Sequence, residues 1–120
     1  MKVLIVDDVK FTLEMAKMAV TDTATEIKTA SNGVEALKIM EDFLPDMVLM
    51  DLFMPEMNGD ECCTIMKSNP TLKNVPVIII SAVDDDESRA KCKRSGCDDI
   101  IKKPFKKDMV VEKLMQYKKN

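Results

Sequence analysis

The chain has 120 residues, 46% of them hydrophobic and 32% charged, with 18 basic against 21 acidic residues and a formal net charge of -3. That apolar content suffices for one core, while the near-balanced charge gives no general attraction toward nucleic acid or an anionic membrane surface. No apolar run approaches the roughly 20 residues needed to cross a bilayer, there is no histidine, and Cys62, Cys63, Cys92 and Cys97 form no Cys-x-x-Cys pair, which excludes the common zinc-ligand spacings. One domain over residues 1–120 of a soluble, cytoplasmic protein is expected, with the thiols as small buried hydrophobes and the eleven methionines as adaptable core filler.

Lys2–Val6 is a continuous apolar segment, the pattern of a strand covered on both faces, and it stops at the pair Asp7–Asp8. From about Val9 to Val20, Phe11, Met15, Met18 and Ala19 recur at helical spacing and predict an amphipathic helix with these residues as its apolar face. Glu26–Ala30 reads as a short second strand. Ser31–Asn32–Gly33 then turns the chain into a helix carrying Val34, Leu37 and Met40 on one face, closed by Pro45.

Met47–Met50 is the third strand and ends at Asp51; Asn58–Gly59 opens a third helix that runs to about Ser68 with Ile65 and Met66, and Asn69–Pro70 ends it. Pro76–Ser81, β-branched almost throughout, is the clearest strand in the chain. Asp84–Glu87 place acids on the first turn of a fourth helix and Lys91, Lys93 and Arg94 place bases on its last, with Gly96 as its stop and only a thin apolar stripe between. Asp99–Lys102 is a fifth strand leading to Lys103–Pro104, and Lys106–Lys118 is a last helix with Val110, Leu114 and Tyr117 facing inward. Five alternations of strand and helix predict an α/β fold: a five-stranded, doubly wound parallel sheet, (βα)5, with helices on both faces.

Ligands of such sheets bind at the carboxyl ends of the strands. That rule gathers Asp7 and Asp8, Asp51, Ser81 and Lys103 at one rim. Converging carboxylates repel unless a cation compensates, and oxygen donors without histidine or thiolate point to Mg²⁺ or Mn²⁺, with Mg²⁺ preferred because it keeps waters and binds one or two carboxylates plus a phosphate. A carboxylate nucleophile, a neutralising lysine and metal, and a donating hydroxyl together suggest formation of an aspartyl phosphate on Asp51.

Val6–Asp7–Asp8, the run Met50–Asp51 through Asn58–Gly59, Ile80–Ser81–Ala82, Gly96 through Asp99, and Lys103–Pro104–Phe105 together resemble the receiver domain of two-component response regulators along the whole chain. The resemblance implies the flavodoxin-like, CheY-like strand order 2-1-3-4-5. It also implies that Asp51 is the phosphoacceptor for a sensor histidine kinase or phosphotransfer protein. By the same resemblance Asp8, Asp51 and the backbone carbonyl of Phe53 are direct Mg²⁺ ligands, Asp7 acts through water, Lys103 pairs with the phosphoryl group, Ser81 is a switch hydroxyl and the Lys103–Pro104 bond is cis. Its downstream side is an effector protein or an output domain outside these residues, and its assembly a monomer or a phosphorylation-dependent dimer, with no nucleic-acid or membrane contact by this domain.

Two departures bear on mechanism. Ile100 stands where the family often has a switch aromatic, so a ring rotation cannot carry the signal here. Phe53 and Val83, which flank the reaction centre, offer no group to orient an attacking water, which predicts slow loss of the phosphoryl group. A Mg²⁺-dependent phosphohydrolase with an aspartyl nucleophile is the alternative enzyme; it would want an acid where Phe53 stands. A flavin site is poorly supported, because acids follow the first strand where a phosphate loop needs small residues.

Overall fold

The computed structural model describes residues 1–118, and strand and helix alternate through all of them: β1 (Lys2–Val6), α1 (Lys10–Val20), β2 (Glu26–Ala30), α2 (Gly33–Met40), β3 (Met47–Asp51), α3 (Gly59–Lys67), β4 (Val77–Ser81), α4 (Asp86–Ser95), β5 (Asp99–Lys102) and α5 (Lys107–Tyr117). Lys119 and Asn120, the tail of the expected 1–120 unit, lie outside the described residues. The five strands are all parallel in the order β2-β1-β3-β4-β5, as expected. β3 and β4 are buried at every position and β1 at all but its first, whereas the edge strands β2 and β5 alternate with exposed residues. The uninterrupted apolar runs are therefore the strands sandwiched on both faces.

Pleat alternation divides the core into two layers. Val3, Ile5, Met47, Leu49, Ile78, Ile80 and Ile101 pack against α1 and α5 on one side. Leu4, Val6, Val48, Met50 and Ile79 pack against α2 and α3 on the other, with Cys92 of α4. Cys92 is the one apolar side chain that α4 buries, beside Ser88 and Ser95, so the thin stripe of this helix is real.

The faces of the first two helices agree with expectation at Ala19, Leu37 and Met40 and differ at the other positions. In α1, Phe11, Met15 and Met18 point to solvent, with Phe11 73% and Met18 72% exposed, while Ala16, Ala19 and Val20 are buried and Leu13 is half-buried. Two apolar stripes compete on this helix, and the sheet takes the one whose alanines let the helix backbone approach closely. In α2 the inward side is Gly33, Ala36 and Met40; Val34 is half exposed. The same preference for small residues at the contact accounts for it.

Between β3 and α3 the chain makes a tight turn that pins the end of β3. Glu56 has φ 67°, with the Met57 amide donating to the Pro55 carbonyl at 2.7 Å, a left-handed conformation that is uncommon for a residue with a side chain. Asn58 Oδ1 accepts from the Met54 amide at 3.2 Å and Glu61 accepts from the Asn58 amide at 3.1 Å. Gly59 then donates its amide to the Leu52 carbonyl at 2.7 Å. A Cβ at Gly59 would sit 2.2 Å from the backbone oxygen of Asp51, so α3 starts in direct contact with the strand end that carries Asp51. Replacing Gly59 by Ala must push the two apart, and a loss of about 1–3 kcal/mol in stability is expected from overpacking against rigid backbone. Urea unfolding measures it, and an unchanged midpoint would contradict the contact.

Candidate functional site

The pleat that builds the core also builds the site. On the α1/α5 side, the rows Val3–Ile5, Met47–Leu49 and Ile101 continue in steps of two to Asp7, Asp51 and Lys103. Ile5 pairs with Leu49 in the parallel register, which brings Asp7 beside Asp51 one step further along. Asp51 pairs with Ile80 and Ile80 with Ile101, so Lys103 lies one pleat step beyond Asp51, level with Ala82, and its long side chain reaches back across β4.

Lys103 Nζ lies 3.0 Å from Asp51 Oδ1 and 3.2 Å from Asp7 Oδ2, joining groups 52 and 96 residues distant in sequence. Asp7 is 3% and Asp51 8% exposed, while Asp8 faces solvent. One carboxylate oxygen from each of Asp7, Asp8 and Asp51 lies within 4.8 Å of the others, and among the described residues this is the one such group of three or more. In an octahedral Mg²⁺ site neighbouring ligands stand about 3 Å apart and trans ligands about 4.2 Å, so a trio within 4.8 Å is one that a hard divalent cation can draw together, directly or through a bound water. Asp7 has both oxygens in use, Oδ1 accepting from the Val9 amide at 2.9 Å and Oδ2 facing Lys103. The recorded bonds of Asp51, from Leu52 N at 3.1 Å and from Lys103, both fall on Oδ1, which leaves Oδ2 for chemistry.

Burial pushes the Asp51 carboxyl up, the charges of Asp7 and Asp8 add to this, and Lys103 opposes it without cancelling it. Burial works against the charge on Lys103, but its bond to Asp51 and the charges of Asp51 and Asp7 outweigh that and hold the ammonium above its ordinary range. The site has one firmly charged cation for three carboxylates, a deficit that a divalent ion would remove. The thiols have no part in it: burial pushes Cys62 up to about 12, and Cys63 and Cys97 up to about 11, so they stay protonated.

Ser81 stands at the end of β4, buried, but on the opposite pleat from Asp51. Its hydroxyl donates to the Val83 carbonyl at 3.1 Å and accepts from the Val83 amide at 3.0 Å, closing a small turn of its own. The structure therefore brings together Asp7, Asp8, Asp51 and Lys103 and leaves Ser81 turned aside. Phe53 and Val83 are both exposed at the mouth, Ile100 is partly exposed, and the Lys103–Pro104 bond is cis.

Because the folded protein raises the Asp51 pKa, the ionised carboxylate opposes folding above that raised value, and the opposition vanishes below the ordinary value of 3.8, where both states are protonated. Asp51→Asn should raise the midpoint of thermal unfolding by several degrees at neutral pH, and the gain should shrink as pH falls through the raised pKa toward 3.8. A gain that is absent at neutral pH or grows on acidification would contradict this balance.

A family model described as the response regulator receiver domain matches residues 3–115. The chain is 39% identical over 120 residues to the chemotaxis protein CheY of Thermotoga maritima, covering 98% of each. To the response regulator PleD of Caulobacter vibrioides it is 34% identical over 104 residues, covering 87% of this chain and 23% of that protein; the chain spans about a quarter of PleD. The solved structure of the chemotaxis protein CheY4 of Vibrio cholerae is similar at a TM-score of 0.91 and 26% identity, with 98% of both chains covered. A family match over almost all of its length, on a fold whose strand ends gather these acids and this lysine, establishes that the chain belongs to the response regulator receiver domains of two-component signalling.

Proposed function

We propose that this receiver takes a phosphoryl group onto Asp51 from a phosphohistidine of a sensor histidine kinase or phosphotransfer protein, and that the modified domain signals to an effector protein or output domain. The observation that carries the reading is the bridge of Lys103 between Asp51 and Asp7 beside a three-carboxylate cluster of metal-binding size. Asp8, Asp51 and the Phe53 carbonyl would hold Mg²⁺ directly, with Asp7 acting through water because its oxygens are occupied. When bound, the ion supplies charge neutralisation for the equatorial phosphoryl oxygens.

The remaining chemistry belongs to side chains of this chain. Asp51 Oδ2 attacks the phosphorus in line, an O–P bond forms as the P–N bond to the donor imidazole breaks, and the imidazole leaves with the electron pair and takes up a proton. Lys103, held charged, stabilises the oxygens that face it. Phe53 supplies no acid for a leaving group, which favours a stoichiometric acceptor over a phosphohydrolase. Met15 and Phe105 line two adjoining hollows of about 260 Å³ each, one of which also takes in Phe11 and is bordered by Lys103. The outward stripe of α1 thus offers the donor an apolar footing at the doorway of the site.

Incubation with acetyl phosphate and Mg²⁺ should add one phosphoryl group by intact mass, and Asp51→Asn should abolish it; labelling of the variant would move the acceptor elsewhere. The phosphorylated protein should lose its group slowly, since Phe53 and Val83 position no water. Phe53→Asn should shorten its lifetime several-fold, and loss within seconds that is indifferent to that substitution would refute the explanation.

A further inference from the structure

Ile100 cannot relay the state of Asp51 as a rotating ring would, yet the β4–α4 turn holds another connection. The Ser81 hydroxyl has one proton, now given to the Val83 carbonyl. The residue after Val83 is Asp84, whose carboxylate grips two cations from two further elements: Arg89 Nε of α4 at 2.5 Å on Oδ1 and Lys102 Nζ of β5 at 3.7 Å on Oδ2. Arg89 and then Lys102 hold the Asp84 carboxyl below its usual range, and Asp84 holds the Arg89 guanidinium above its own. Lys102 immediately precedes Lys103. One carboxylate therefore ties together the turn that follows Ser81, the first half of α4 and the strand that presents Lys103.

Under this tie lies a largely apolar hollow of about 400 Å³, bordered by Leu52, Ser81, Val83, Cys92 and Ile100. Apolar packing holds α4 only through Cys92, and its remaining anchors are polar: the Asp85 cap on the Ser88 amide and the Cys63 thiol donating to the Ser95 carbonyl at its far end. We propose that the Asp84–Arg89–Lys102 triad is a latch that holds α4 in its resting position and opens when Asp51 carries a phosphoryl group. The proposal rests on the reading of Asp51 as phosphoacceptor. A phosphoryl oxygen that accepts the Ser81 O–H takes it from the Val83 carbonyl, the turn loses the bond that closes it, and Asp84 swings off Arg89 and Lys102. Most exposed ion pairs are energetically small. Smallness suits this role, because a stronger tie would not yield to the exchange of one hydrogen bond.

Coupling of this kind is reciprocal: whatever opens the latch must also favour the phosphoryl-like ligand. The test uses the whole chain with saturating Mg²⁺ and beryllofluoride, a tetrahedral stand-in for a phosphoryl group on a carboxylate. Binding is read by ¹⁹F NMR and the amides of α4 by hydrogen exchange. Asp84→Asn should bind beryllofluoride roughly three- to tenfold more tightly than wild type, and its α4 amides should exchange several-fold faster before any ligand is added, a state that wild type reaches only with beryllofluoride. Arg89→Gln, which leaves the acid in place, should give a partial version of both effects. The double variant should not exceed Asp84→Asn alone. Ser81→Ala should cut the link, so that beryllofluoride no longer loosens α4.

Equal affinities for wild type and Asp84→Asn, or α4 exchange in wild type that ignores beryllofluoride, would overturn the latch while leaving Asp51 as acceptor. Failure of wild type to bind beryllofluoride at all would overturn both.

Discussion

Two buried carboxylates that share one ammonium are the constraint around which this molecule is built. Asp7 and Asp51 repel each other at neighbouring strand ends, and Lys103 arrives from two strands away to hold them together. The arrangement depends on the parallel register of the sheet, in which steps of two bring Asp7 and Asp51 to the same height and Lys103 one step further on the same side. A slip of one residue in any of them would turn a charged group into the core layer beneath α2 and α3. The fully apolar interiors of β1, β3 and β4 thus do more than build a core, since burial on both faces is what makes the register strict.

Around that row, the two sides of the sheet are fastened unequally. The end of β3 is rigid: α3 begins against its backbone at Gly59, and the Asn58–Glu61 pair fixes the entry to that helix. The end of β4 is looser, closed by a single hydroxyl and followed by a helix that buries almost nothing apolar. On the proposed reading of Asp51 as nucleophile, rigidity lies where it must be aimed and slack where a charge change would be converted into displacement. Both are placed by composition, a glycine and a capping pair in one loop and a run of acids in the other.

Most of this was legible in the sequence because its determinants are local. Strand ends can be read from apolar runs that stop at polar residues, and this alone gathers Asp7, Asp8, Asp51, Ser81 and Lys103 at one rim. What could not be read depends on choices between equivalent patterns. α1 carries a bulky stripe and a small one, and periodicity alone cannot say that Ala16 and Ala19 face the sheet while Phe11 and Met18 face water. Nor does spacing reveal that the Ser81 hydroxyl is turned toward Val83, or that Asp84 spans α4 and β5, because side-chain rotamers at a turn decide both.

Charge arithmetic explains why a neutral hydroxyl should matter in so charged a place. Asp7, Asp8 and Asp51 against Lys103 leave the site doubly negative, a deficit that one divalent cation would cancel. Converting the Asp51 carboxylate into an acyl phosphate returns the site to net negative charge even with the cation in place. On the proposed reading, with a cation bound and Lys103 engaged, the added oxygens would call for a further donor that brings no charge of its own to desolvate. Ser81 is a buried hydroxyl at the next strand end, and its present partner is a backbone carbonyl that borders a half-open turn and can turn to water instead. On that reading the pull on Ser81 would follow from electrostatics rather than from shape, and a receiver without an aromatic switch would move α4 because the force lands on the turn whose Asp84 holds the helix.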